Sequence, residues 1–85
     1  MKFTQYFLYT RIRADRAAIK LEWIENVVTC PIKTQRKADG RFKKWGFIQE
    51  ERKYLRVILL EDEETVHNAF FDRGFKEVDN ENQIF

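Results

Sequence analysis

A single proline, Pro31, divides this 85-residue chain into a part with helical spacing and a part with strand spacing. Before it, in AAIKLEWIENVVTC, apolar residues recur three or four positions apart, which is typical of an amphipathic helix. Because proline cannot continue a helix, this one is expected to end near Thr29 or Cys30. After Pro31 the period falls to two, as in strands. The sequence therefore predicts a small α+β domain, with its helices first and its sheet after them.

The strands are predicted from their turns. The pair Asp39-Gly40 is typical of a two-residue hairpin loop of type I′, which joins strands at about 32–38 and 41–49. The string EERK at 50–53 forms the next turn. The last two strands, YLRVILL and TVHNAFF, then pair across EDEE. The four strands form an antiparallel meander.

The first residues of the chain allow two interpretations. Residues 3–12 fit a helix capped by Thr4, and they also fit an alternating strand; we favour the helix. Two helices would then pack on one face of the meander. The domain is expected to span 1–76, with RADR at 13–16 as a connector and residues 77–85 as an acidic, partly ordered tail.

The register of the last hairpin decides which side chains face the helices. If Leu60 lies opposite Thr65, then Asn68 falls on the core side, while Arg56 and His67 share the other face one diagonal step apart. The predicted core consists of Trp23, Ile24, Val27, Leu55, Val57, Leu59, Val66 and Phe70.

The pair of His67 and Arg56 is the first candidate site. His67, the only histidine, would act as an acid or base near neutral pH, and Arg56 would hold a phosphate through two parallel hydrogen bonds. The alternative is a half-buried histidine on a sheet with no chemical role. The residue types alone leave both interpretations open.

The second candidate is a basic hairpin. Residues 1–56 carry a net charge of +8 and residues 57–85 a net charge of −6. Cations of such a hairpin can neutralise phosphates, and its aromatic residues can stack on unpaired bases. Its predicted nucleic-acid contacts are Lys33, Arg36, Lys37, Arg41, Lys43, Lys44 and Trp45. The alternative is a solvated edge that keeps the sheet soluble.

Several classes of protein do not fit the sequence. One cysteine, Cys30, excludes an intrachain disulfide and is expected in a small buried apolar role. The chain has no metal motif and no glycine-rich phosphate loop, so no cofactor is predicted. It also has no apolar run of about 18 residues and no signal-peptide pattern. We expect a cytoplasmic protein without membrane contact.

The ordered string EWIENVV, then Pro31, DGR and YLRVILLEDEETVHNAFFDRGF, resembles a family of small prokaryotic domains of unknown function. That family is similar to the BrnT and RelE-like toxins, small α+β ribonucleases that pair with antitoxin proteins. The resemblance covers residues 16–75. It implies metal-free contact with RNA through Arg41, Arg56 and Arg73. The chain departs from many relatives, which carry a histidine on the first helix, where this sequence has Tyr6, Phe7 and Tyr9.

Two functions are therefore predicted. The favoured one is a module without catalysis that binds single-stranded RNA or a protein partner. The alternative is a messenger-RNA-cleaving toxin with an antitoxin-like partner, in which His67, Arg56 and Arg73 form the catalytic site.

Overall fold

The computed structural model describes residues 1–13 and 18–76 of the chain. Most of the predicted connector at 13–16 and the whole predicted tail at 77–85 lie outside the described residues. The elements are β1 (Lys2–Phe3), α1 (Gln5–Thr10), α2 (Leu21–Thr29), β2 (Lys33–Arg36), β3 (Phe42–Ile48), β4 (Lys53–Leu59) and β5 (Thr65–Phe71). The strands form one sheet in the order β1-β5-β4-β3-β2. The predicted α+β class with two helices is confirmed.

The predicted four-stranded antiparallel sheet is wrong, because β1 adds a fifth strand that runs parallel to β5. Lys2 lies opposite Thr65, and Phe3 lies opposite Val66. The backbone N–H of Thr4 then donates to the carbonyl of Val66 at 3.0 Å. A strand of two residues is too short to show an alternating pattern, so the sequence carried no sign of it. The sheet is mixed rather than wholly antiparallel.

The start of α1 and the end of α2 follow their local signals, but α2 begins only at Leu21, so residues 18–20 of the predicted helical string are not helical. The hydroxyl of Thr4 accepts a hydrogen bond from the backbone N–H of Phe7 at 3.0 Å, and this N-cap begins α1 as expected. Helix α2 ends at Thr29, two residues before Pro31. None of the helices among residues 1–13 and 18–76 is long and apolar enough to span a membrane.

The core lies between α2, α1 and one face of the sheet. Its centre is wholly inaccessible to solvent and consists of Ile24, Leu55, Val57, Leu59 and Val66. All of the predicted core residues except Phe70 are buried. Cys30 is exposed, so its predicted buried role is wrong. It follows the last residue of α2 and lies beyond the buried face of that helix.

A β-bulge in β5 explains why Phe70 is not in the core. Near the turn, the N–H of Leu60 donates to the carbonyl of Thr65 at 2.9 Å, as the predicted register requires. Leu59 then lies opposite Val66, whereas Ile58 lies opposite Asn68, so His67 is an extra residue without a partner.

Beyond the bulge the predicted faces of β5 are exchanged. Arg56 lies opposite Phe70, and Val57 lies opposite Ala69. Ala69 is therefore buried in the core and Phe71 packs against it, while Phe70 and Asn68 lie on the other face. The predictions that Phe70 and Asn68 face the core are wrong, because one added residue reverses every later side chain of a strand.

The loop between β2 and β3 also differs from its prediction. Gly40 has a φ of 91°, whereas Asp39 is not among the residues with positive φ. The N–H of Gly40 donates to the carbonyl of Lys37 at 2.9 Å, and the N–H of Lys37 donates to the carbonyl of Arg41 at 2.7 Å. This is a three-residue loop in which a turn is followed by a left-handed glycine. The predicted type I′ turn is wrong, because that type needs positive φ at both central residues.

Candidate nucleic-acid interface

The two helices cover one face of the sheet, and we call the opposite face the helix-free face. Strand β3 shows the alternation clearly. A Cβ atom on Gly46 would lie only 2.7 Å from Cγ2 of Val27 on α2, so Gly46 faces the helices. Its neighbours Trp45 and Phe47 consequently belong to the helix-free face, because side chains alternate along a strand.

Aromatic rings form a continuous array across the helix-free face. The ring of Phe75 is stacked on Trp45 with centroids 5.0 Å apart and an interplanar angle of 16°. Phe75 also meets Tyr54 edge to face at 5.0 Å, and Tyr54 meets Phe47 at 5.1 Å. Phe47 is 44% exposed, whereas Trp45 is only 5% exposed. The array therefore has an open end at Phe47 and a covered end at Trp45.

Arg56 joins this array as its cation. Its guanidinium lies 4.6 Å from the ring centre of Phe70 and 5.9 Å from that of Trp45. Its Nε lies 3.2 Å from Oδ2 of Asp72, as an ion pair. The face of an aromatic ring attracts a cation, so Phe70 and Trp45 help to hold the guanidinium in place.

The carboxylate of Asp72 is the acidic partner in this region. Oδ2 accepts a hydrogen bond from Nε1 of Trp45 at 3.0 Å. Burial opposes the charge of Asp72, but the hydrogen bonds from Trp45 and from the N–H of Gly74, with the charge of Arg56, lower its pKa below the ordinary value of 3.8. Asp72 therefore stays ionised beside Arg56 at neutral pH.

An open cleft of about 380 Å³ runs beside these residues. Its lining combines four cations and one carboxylate with aromatic and small polar groups: Lys33, Gln35, Lys43, Trp45, Arg56, Asp72, Gly74, Phe75 and Lys76. The β2–β3 register places Lys33 opposite Trp45, and the Nζ atom of Lys33 lies 6.0 Å from that ring. The cleft is net positive and has aromatic walls.

The structure splits the predicted basic hairpin between the two faces. Lys33, Lys43 and Trp45 line the cleft. Lys44 instead donates from Nζ to the carbonyl of Val28 in α2 at 3.1 Å. Arg36 lies opposite Phe42, which packs against the core, and its guanidinium is 5.8 Å from that ring.

The other two cations of the predicted hairpin lie at its loop. A backbone hydrogen bond joins Lys37 and Arg41 there, and neither residue lines the cleft. The cleft is also lined by four residues that were not predicted from the sequence: Gln35, Asp72, Phe75 and Lys76. Gln35 lies opposite Lys43 because of the three-residue loop, whereas the predicted two-residue loop would have placed it opposite Lys44.

His67 lies in a different environment. Its Nδ1 is 3.1 Å from the hydroxyl of Thr4, and its ring stacks on Tyr6 with centroids 4.8 Å apart. Burial lowers the pKa of His67 below 6.5, and the charge of Arg41 lowers it further. The structure therefore places His67 against the start of α1, whereas Arg56 lies among Trp45, Phe70 and Asp72.

The remaining predicted catalytic residue, Arg73, is exposed in the turn after β5. The described part of the chain contains no group of three or more His, Cys, Asp or Glu residues that could hold a metal ion.

Comparisons of the chain with family models, with curated proteins and with solved structures found no match.

Proposed function

We propose that this protein binds single-stranded RNA in the cleft of the helix-free face, as a binding module without catalysis. The observation that carries the proposal is the position of the cations. Lys33, Lys43, Arg56 and Lys76 surround one cleft whose walls include the rings of Trp45 and Phe75. Phosphates need cations, and unpaired bases need aromatic faces, so one strand could use both kinds of group together.

The form of the face supports a single strand rather than a duplex. The aromatic array lies on an open face of a sheet and has an exposed ring at Phe47. Stacking on such rings requires bases that are not already paired, and it tolerates any base because every base has a flat aromatic face. We therefore expect little sequence preference.

The absence of catalysis in the proposal follows from the groups that line the cleft. Cleavage by proton transfer needs an acid and a base within hydrogen-bond reach of the reacting atoms. The cleft offers four cations and Asp72, whose lowered pKa makes it a poor proton donor and a weak base at neutral pH. His67 is not among the lining residues.

One observation favours the alternative, a ribonuclease toxin of the BrnT and RelE-like kind. His67 is half-buried and has a lowered pKa beside Arg41, so it is neutral near pH 7 and could accept a proton. That reaction would take place near the start of α1 rather than in the cleft. An antitoxin-like protein would then be the expected partner.

The test is the salt dependence of binding to a fluorescently labelled single-stranded RNA. The variant Lys33→Ala/Lys43→Ala removes two cations of the cleft. The matched control, Arg36→Ala/Lys37→Ala, removes two cations of the same hairpin that do not line it. Each phosphate contact contributes about 0.7 to the slope of log affinity against log salt for a single strand. The cleft variant should therefore lose about 1.4 from that slope, while the control keeps the wild-type slope.

Equal losses in the two variants would mean that the hairpin attracts RNA only through its total charge. If the wild-type protein does not bind single-stranded RNA at low salt, the proposal is wrong. Cleavage of the RNA by the wild type, abolished in His67→Ala, would support the toxin instead.

A further inference from the structure

A short segment of the chain itself covers the Trp45 end of the aromatic array. We call residues 72–75, with the sequence DRGF, the strap. It begins where the N–H of Asp72 donates to the carbonyl of Tyr54 at 2.8 Å, directly after β5. It then places Phe75 flat on Trp45. The ring of Trp45 is nearly inaccessible to solvent, and Phe75 occupies one of its faces.

The strap supplies the two kinds of group that one nucleotide would supply. A flat ring stacked on an indole at 5.0 Å and 16° has the arrangement of a base on an aromatic side chain. A carboxylate beside a guanidinium, here Asp72 beside Arg56, has the charges of a phosphate bound by arginine. Both come from four consecutive residues.

Arg56 is incompletely satisfied by this arrangement. Its Nε is buried and makes no hydrogen bond, although Oδ2 of Asp72 lies 3.2 Å away. That oxygen already accepts a well-formed hydrogen bond from the indole of Trp45. A buried donor without an acceptor is unfavourable, and a phosphate offers more acceptor oxygens than this shared carboxylate does.

We propose that Trp45 and Arg56 form a subsite for one nucleotide of a bound strand, and that the strap occupies this subsite in the free protein. The inference rests on the proposed RNA binding and goes beyond it. A base would replace the ring of Phe75 on Trp45, and its phosphate would replace the carboxylate of Asp72 beside Arg56. No covalent step is involved.

The strap is held at its two ends, by Asp72 on Trp45 and Arg56 and by Phe75 on Trp45 and Tyr54, but its middle makes little contact with the sheet. Arg73 and Gly74 are exposed. One carboxylate oxygen of Asp72 accepts a hydrogen bond from the N–H of Gly74, which lies within the strap itself. Segments with little burial open more readily than core strands. Because the subsite is available only when the strap has left it, the measured affinity of the free protein is reduced by the fraction of molecules in which it is open.

The test compares RNA affinities of variants that weaken the strap. Phe75→Ala removes the ring that covers Trp45, and Asp72→Asn removes the charge beside Arg56. Each should bind a labelled single-stranded RNA several-fold more tightly than the wild type. Phe47→Ala is the control for loss of an aromatic ring on the same face, and Glu51→Gln is the control for loss of one exposed acid elsewhere. Neither control should gain affinity.

The decisive variant is Phe75→Ala/Trp45→Ala. If the gain comes from the released indole, it should vanish when Trp45 is also removed. A gain that persists without Trp45 would overturn the inference. Thermal melts of every variant show whether it remains folded at the temperature of the binding measurement.

The two proposals fail in different ways. If the strap variants bind like the wild type while Lys33→Ala/Lys43→Ala binds more weakly, RNA binding stands and the nucleotide subsite is wrong. If the wild type does not bind RNA even at low salt, both proposals are wrong.

Discussion

The two faces of β4 share one backbone but differ in burial and in the type of side chain. Leu55, Val57 and Leu59 point toward the helices and are completely buried. Arg56 and Ile58, which alternate with them, are half-buried on the helix-free face. One strand therefore supplies both an aliphatic core and a polar, aromatic surface. A ligand can therefore reach the second face without displacing a helix.

The largest expected effect tests this difference with neighbouring residues of similar size. Leu59→Ala should reduce the free energy of unfolding by about 2–5 kcal/mol, because it leaves a cavity under the helices. Ile58→Ala removes a half-buried side chain from the other face and should cost about half as much or less. Urea denaturation of both variants measures the contrast. Equal losses would mean that the two faces contribute alike to stability.

A smaller effect is expected where β3 meets α2. Gly46→Ala places a Cβ 2.7 Å from Cγ2 of Val27, so the packing of helix on sheet must shift. Overpacking of this kind costs about 1–3 kcal/mol. Thermal melts should show a lower midpoint for this variant.

A second glycine serves as the control for that prediction. A Cβ on Gly74, in the strap, would meet only Oδ1 of Asp72 at the ordinary distance of 3.5 Å, so Gly74→Ala should barely change stability. The loss in Gly46→Ala should also shrink in a Val27→Ala background, where the clashing methyl group is absent. A loss of the same size there would refute the assigned contact.

The smallest expected effect separates the two regions by pH. The pKa of His67 is lowered by burial against α1, so the unfolded chain binds a proton there more readily than the folded protein does. The neutral form of His67 makes its full contribution to the free energy of unfolding above pH 6.5. This contribution is lost as the pH falls from 6.5 through the lowered pKa that His67 has in the folded protein. Asp72 on the helix-free face has a lowered carboxyl pKa, so its contribution is complete above 3.8 and is lost only in stronger acid.

Urea denaturation across this range should therefore show two separate losses. In a plot of the free energy of unfolding against pH, His67→Gln should remove the loss just below pH 6.5. Asp72→Asn should remove only the loss below about pH 4. If the free energy of unfolding of His67→Gln depends on pH as the wild type does just below pH 6.5, His67 does not link folding to pH.

The parts of the fold that were predicted correctly are those with a strong local pattern in the sequence. Pro31 placed the end of α2, and the apolar alternation of β4 identified its buried side chains. The register was right at the turn, where Leu60 meets Thr65, but the β-bulge at His67 was missed. Its sign in the sequence is the adjacent polar pair His67 and Asn68, which interrupts the alternation of TVHNAFF. What accommodates the extra residue is the distant α1, through Thr4 and Tyr6.

The candidate site was predicted by residue type but not by grouping. Lys43 and Lys44 are adjacent in sequence, yet only Lys43 lines the cleft, because successive side chains of a strand point to opposite faces. The strap was missed for another reason. A string such as DRGF has no period, and its role depends on Trp45 and Arg56, which lie on two other strands.

The pairing of β1 with β5 has a consequence for the order in which the protein folds during synthesis. Lys2 and Phe3 are made about 60 residues before their partners, Thr65 and Val66, which belong to the last described strand. The hairpins of β2, β3 and β4 join residues close together in the chain, so they close early, whereas contacts between distant residues close late. Until β5 is made, the apolar side chains of Phe3 and Phe7 lack the strand with which β1 pairs.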